Sequence, residues 1–145
     1  MRILMLNYGF PPLGGGASPV TYELSKELVK IGHSVDVVTM HYKGLPRFEV
    51  KDGINIHRVR CLRSKKEICK TYEMMTYLIS AFPKVLSLTK KNKYDIVHCH
   101  FIIPTGVLGY LLKKIRGLDY VITSHGSDVP SFNQDRFTRL HSFTK

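Results

Sequence analysis

Residues 2–19 read RILMLNYGFPPLGGGASP, and this stretch decides the fold. Residues 2–7 are a short, almost wholly apolar run that stops at a turn-rich segment. Such a run fits a strand buried on both faces, as in a parallel sheet. Residues 8–16 hold two prolines and three consecutive glycines. They suit neither a helix nor a central strand, and predict a loop of unusual backbone freedom. A helix is expected next, with Ser18 as N-cap and Pro19 in the first helical position. Val20, Leu24, Leu28 and Ile31 recur at helical spacing, and Gly32 is a suitable stop. Residues 34–40 (SVDVVTM) are the next strand, which completes one βαβ unit.

Working outward, Asp52-Gly53 stands between strand-like runs at 48–51 and 54–60 and signals an antiparallel hairpin. Residues 65–92 read as helical with a break near Pro83. Residues 94–99 (YDIVHC) are a second buried strand. Pro104 opens a helix to about Arg116, ended by Gly117, and 119–124 (DYVITS) is a third parallel strand. A short helix is expected over 134–144. The alternation predicts an α/β fold, a Rossmann-like doubly wound parallel sheet with flanking helices.

The chain has 145 residues, enough for one domain (1–145) and too few for two. At 43% hydrophobic and 23% charged it reads as an ordinary globular domain, which excludes disorder. No apolar run approaches the roughly 18 residues of a transmembrane helix, and the N-terminus is a poor signal peptide. Cys61, Cys69 and Cys99 lack C-x-x-C spacing, which points to a reducing, cytoplasmic setting without a zinc knuckle. The formal charge of +11 calls for an anionic partner. Ten Lys and Arg against Glu67 and Glu73 concentrate +8 of it in residues 58–93. With Tyr72, Met75, Ile79 and Phe82 among them, an amphipathic element on an anionic membrane competes with a plain solvated face. No nucleic-acid motif accompanies the charge, so nucleic acid is not the expected partner.

Three constellations are candidates for chemistry. Gly14-Gly15-Gly16 joins a buried strand to a helix, where glycines admit close backbone approach and the helix start offers amides to a phosphate. Neither G-x-G-x-x-G nor G-x-x-x-x-G-K-[ST] is present, and Asp36 lies too early for a dinucleotide ribose. His98 and His100 share one face of their strand near its carboxyl end, where open α/β sheets place ligands. No third ligand completes a metal site in the sequence, so no metal is assigned. His125-Gly126-Ser127-Asp128 follows the third strand and suits a small polar ligand; a capped turn, with Ser127 or Asp128 bonding its own backbone, is the competing reading.

These residues, in this order, resemble one family. RILMLNY-x-FPP-x-x-GG at 2–15, LVKIGHSVDVVT at 28–39, YDIVHCH at 94–100 and VITSHGSD at 121–128 are similar to the N-terminal domain of glycosyltransferase family 4, retaining enzymes of GT-B fold. The resemblance implies the N-terminal, acceptor-side half of such an enzyme, moving a sugar from a nucleotide-sugar donor to a glycan or lipid-linked acceptor without a cofactor. It places Gly14, Gly15 and Gly16 at the donor diphosphate, His125 beside the transferred sugar as the catalytic candidate, and Asp128 and His100 on the acceptor or sugar side. The E-x7-E pair of the family's C-terminal domain has no counterpart: Glu67 and Glu73 have the wrong spacing. A C-terminal nucleotide-sugar domain is therefore expected as a partner, and these 145 residues alone are expected to be inactive. The expected location is cytoplasmic, peripheral on the inner face of the membrane. Two other readings compete: a non-catalytic membrane- or sugar-binding module, and a nucleotide-binding domain of other chemistry.

Overall fold

The computed structural model describes residues 1–129. β1 (Arg2–Leu6) is buried from Ile3 onward, since strands flank it on both sides and its two faces are both covered. It pairs in parallel with β2 (Ser34–Met40) and with β5 (Ile96–His100). The six-stranded sheet runs β3-β4-β2-β1-β5-β6, with β3 (Phe48–Lys51), β4 (Ile54–Val59) and β6 (Tyr120–Thr123) completing it. Only β3 is antiparallel to its neighbour. The Asp52-Gly53 hairpin forms as expected. Beyond that reading, β4 also pairs in parallel with β2 and so extends the parallel sheet.

Helices cover both faces, giving the expected Rossmann-like α/β architecture. α1 (Ala17–Lys30) packs Tyr22, Leu24, Leu28 and Val29 against Met5, Val35, Val37, Ile54 and Ile56. On the other face, α2 (Thr71–Lys91) and α3 (Val107–Arg116) place Tyr77, Ala81, Val85, Leu108 and Leu112 over Leu4, Leu6, Val38, Val97 and Cys99. Gly109 lets α3 lie close: a Cβ there would stand 2.7 Å from the Cys99 sulfur.

Several local expectations are corrected. α1 starts at Ala17 with Gly16 in the cap position, and Ser18 lies inside the helix, its hydroxyl bonding the Leu13 carbonyl at 2.5 Å. The helix is also rotated from the expected face. Val20 and Ile31 are exposed, while Ala17, Ser18, Thr21 and Ser25 are buried. Small residues let the helix approach the sheet, and the Thr21 and Ser25 hydroxyls are satisfied by carbonyls one turn earlier. α2 runs unbroken through Pro83, because Pro83 and Ile79 lie on the solvent side, where water can satisfy the carbonyl that the proline leaves unbonded. Residues 61–70 are irregular rather than helical. Ile103 before Pro104 is extended, and a wide turn at Ile102–Gly106 leads into α3. Gly117 caps α3 in the left-handed conformation, as expected. The helix expected over 134–144 lies outside the described residues.

Asp36, read in the sequence only as a failed ribose ligand, is a structural charge inside the sheet. Its carboxylate is 2% exposed and accepts bonds from Arg2 Nε (3.1 Å) and Tyr94 Oη (3.0 Å), with His57 Nε2 at 3.3 Å. Burial alone raises its pKa; the bonds from His57 and Tyr94 and the Arg2 charge outweigh this and hold it below the ordinary value. A carboxyl depressed on folding stabilises the fold above its unfolded pKa, and that stability is lost as pH falls through the folded value. Asp36→Asn is expected to cost about 1–3 kcal/mol at neutral pH. Urea denaturation of both proteins should show the gap narrowing below the unfolded value near ~4.

Candidate functional site

The carboxyl ends of β1, β5 and β6 lie side by side, and the strand order reverses at β1. An open parallel sheet forms its crevice at such a point. The loop after β1 is tied down by Asn7, which is fully buried. Its carboxamide oxygen accepts from the Gly9 amide (3.0 Å), and its nitrogen donates to Thr21 Oγ1 (2.6 Å) in α1. Leu13 and Phe10 anchor the loop in the core.

The three glycines divide. The Gly14 amide donates to the Lys66 carbonyl at 2.7 Å, and a Cβ on Gly14 would stand 3.0 Å from Glu67 Cα. Gly14 is thus spent on holding a strap, residues 61–70, against the loop. Gly15 has φ +116°, a backbone conformation that favours glycine, and Gly16 stands at the start of α1. Both are exposed, with open space where a side chain would sit, and their amides have no partner among the described residues.

The strap accounts for part of the basic segment. Arg63 donates to the carbonyls of Tyr8 (3.4 Å), Lys65 (3.0 Å) and Lys66 (2.9 Å). Buried Glu73 accepts the amides of Ser64 (2.7 Å) and Lys70 (2.8 Å). Burial pushes the Glu73 carboxyl up, and these bonds bring it below its usual value. Arg58 is also internal, bonded to Glu49 and to the Pro46 carbonyl. These two arginines are therefore structural, which corrects their reading as part of a charged docking surface.

At the carboxyl ends of β5 and β6, three imidazoles stack. His98 and His100 share one face as expected, with ring centroids 4.5 Å apart, and His125 lies 5.2 Å beyond His100. His98 meets Thr123 Oγ1 at 2.7 Å. His100 is fully buried, its Nδ1 3.0 Å from His125 Nε2 and its Nε2 3.0 Å from Met5 Sδ. The structure thus places His100 behind His125 and gives the crevice face to His125. Burial lowers the His98 pKa and, with His98 and His125 nearby, takes His100 down to about 3. His125 is also lowered by burial, which the Asp128 charge partly offsets.

Asp128 positions the loop. Its carboxylate accepts from Ile102 N (2.8 Å), Ser124 Oγ (2.8 Å) and His125 N (3.0 Å). Burial raises its pKa, and these bonds outweigh burial and hold it low. Phe101, absent from the sequence reading, links the two sides: its ring lies 4.9 Å from Tyr8 and 4.8 Å from His125. It holds a positive φ of 85°, which costs a non-glycine residue about 1–3 kcal/mol. Thr105 Oγ1 secures this turn through the His100 and Phe101 carbonyls. Among the described residues, no group of three His, Cys, Asp or Glu is placed to hold a metal ion. No helix there is long and apolar enough to cross a membrane.

A family model described as Glycosyltransferase Family 4 matches residues 14–145. An uncharacterized glycosyltransferase of Methanocaldococcus jannaschii is 33% identical over 130 residues, covering 89% of this chain and 32% of that protein. N-acetyl-alpha-D-glucosaminyl L-malate synthase of Bacillus anthracis is 28% identical over 128 residues, covering 86% and 32%. Sucrose-phosphate synthase from Thermosynechococcus elongatus has a TM-score of 0.70 at 18% identity, covering 86% of this chain and 33% of that one; this likeness shows the fold alone. The chain spans about a third of the length of these relatives.

Replacing Asp128 by Ala removes the acceptor of two backbone amides and is expected to loosen the loop without unfolding the sheet. Hydrogen exchange at Ile102 and His125 should quicken by about tenfold or more, while β1 and β2 amides keep their protection.

Proposed function

Because the chain belongs to glycosyltransferase family 4, we propose that it is the acceptor-side domain of a retaining enzyme that moves a sugar from a nucleotide-sugar donor to an acceptor. The observation that carries this reading is that the open amides at Gly15 and Gly16, in the loop after β1, and the His125 ring, after β6, lie at the same carboxyl edge of the sheet, with Tyr8 of that loop linked to His125 through the Phe101 ring. As the glycosidic bond to the nucleotide breaks, negative charge grows on the departing diphosphate and positive charge on the sugar ring. The two amides and the positive end of α1 favour that departing charge. His125 orients the sugar. Gly14 shapes the loop instead of donating to the phosphate, because its amide is already bonded. The further polypeptide present in the longer relatives would supply the remaining grip on the nucleotide and the carboxylates that this chain lacks.

The test is nucleotide release from nucleotide sugars by the full-length enzyme. Gly16 has helical backbone angles and open space before it, so Gly16→Val adds bulk without backbone strain. It is expected to leave the melting temperature unchanged and to lower kcat/KM for the donor about 100-fold. Unchanged kinetics would overturn the donor assignment. The 145-residue chain by itself is expected to release no nucleotide.

For the acceptor, we propose a glycan or lipid-linked, anionic molecule met at a membrane surface. Tyr72, Met75 and Ile79 form an exposed apolar stripe on α2, and Leu62, Ile68 and the lysines of the preceding strap, Lys65, Lys66 and Lys70, are exposed as well; Leu62 is tied to α2 through Thr76 and Lys70 lies over the Tyr72 ring. This arrangement suits an anionic interface. The Bacillus anthracis relative, named for a malate product, is consistent with an acidic acceptor. Sedimentation should show the chain pelleting with anionic vesicles and remaining in solution with neutral ones. A Met75→Glu, Ile79→Glu double variant should lose the vesicle-bound fraction.

A further inference from the structure

The buried contacts of His100 determine which nitrogen of His125 carries its proton. His100 is fully buried and, among the described residues, no carboxylate touches its ring; the side chains that meet it there are Met5, His98 and His125. It is therefore neutral, with one N–H to place, and its pKa near 3 agrees. Its Nε2 faces a thioether sulfur at 3.0 Å, which has no hydrogen and can only accept. With the proton on Nδ1, two lone pairs would face each other at that contact. With the proton on Nε2, His100 donates to Met5, and its Nδ1 accepts from His125 Nε2, 3.0 Å away. Only the second arrangement satisfies both contacts. It requires His125 to carry its proton on Nε2, and it leaves Nδ1 as a lone pair with no partner among the described residues.

We infer that Met5 and His100 are positioning residues that lock neutral His125 in the Nε2–H form, so that the ligand group it receives is a hydroxyl donor and not a phosphate or carboxylate oxygen. This rests on the reading that His125 faces the transferred sugar. It narrows that role: His125 accepts a sugar hydroxyl, and the departing diphosphate is left to the glycine amides. Asp128 holds the His125 backbone, Phe101 packs its ring, and Thr105 holds the carbonyl of His100. The ring therefore has little freedom to exchange its two nitrogens.

The test is ¹⁵N NMR of the imidazole nitrogens of this chain at a pH where His125 is neutral. His125 is expected to show a protonated Nε2 and a bare Nδ1, and His100 the same pair. A protonated Nδ1 on His125 would overturn the inference. Met5→Leu keeps the volume and removes the sulfur acceptor. It is expected to collapse the preference, moving both nitrogens of each ring toward averaged shifts, while the amide spectrum stays folded. A Met5→Leu protein that kept the wild-type tautomers would remove Met5 from the lock. The tautomer is read without any sugar, so the sugar assignment is tested separately. Addition of the nucleotide sugar to the full-length enzyme should shift His125 Nδ1. If it does not, the functional reading fails while the tautomer result stands.

Discussion

The carboxamide of Asn7 is the constraint on which the crevice depends. It sits where β1 ends and the glycine loop begins, with no access to water. A buried amide must satisfy both its donor and its acceptor, and Asn7 does so by holding Gly9 with its oxygen and Thr21 of α1 with its nitrogen. Strand, loop and helix are thereby set at one distance and angle. The small buried face of α1 follows from this, since a larger residue at Ala17, Ser18 or Thr21 would push the helix off the group that anchors it. The position of Gly16 at the helix start follows as well.

Most polar groups around the crevice are consumed by the protein itself. The Gly14 amide goes to the strap, Asp128 to two amides and a hydroxyl, and both nitrogens of His100 to Met5 and His125. Among the described residues, the Gly15 and Gly16 amides and His125 Nδ1 are left without such a bond. That division gives the site its chemistry, because a group already bonded to the protein gains little from a ligand. The strained backbone of Phe101 fits the same scheme. It turns the chain sharply after β5, so that a ring bridges Tyr8 and His125.

Much of the fold was legible because it rests on periodicity and breakers. β1, β2, β5 and β6 are short apolar runs, while Asp52-Gly53 marks the β3–β4 turn and Gly117 the end of α3 without ambiguity. The spacing of Val20 and Ile31 misled about the face of α1, since an apolar residue at helical spacing looks the same whether it meets a sheet or water. Pro83 also misled, because the cost of a proline depends on what surrounds the carbonyl it orphans. Asn7, Asp36, Glu73 and Arg63 were illegible for a related reason: a polar residue becomes structural only when partners distant in sequence arrive to satisfy it. Asp36 meets partners from β1, β4 and the segment leading into β5, and none is near it in the chain.

By itself, the sequence determined that a glycine loop follows a buried strand, that two histidines share a strand face and that HGSD follows another strand, all in the order found in one family. Those features are local, set by backbone freedom and by the two-residue period of a strand. The tertiary structure alone decided which of them face the crevice. Gly14 and Gly16 are chemically identical, and His100 and His125 carry the same ring; what separates them is whether Lys66, Met5 or open space lies within reach. Hydrogen-bond capacity is a property of the residue, whereas its availability is a property of the fold.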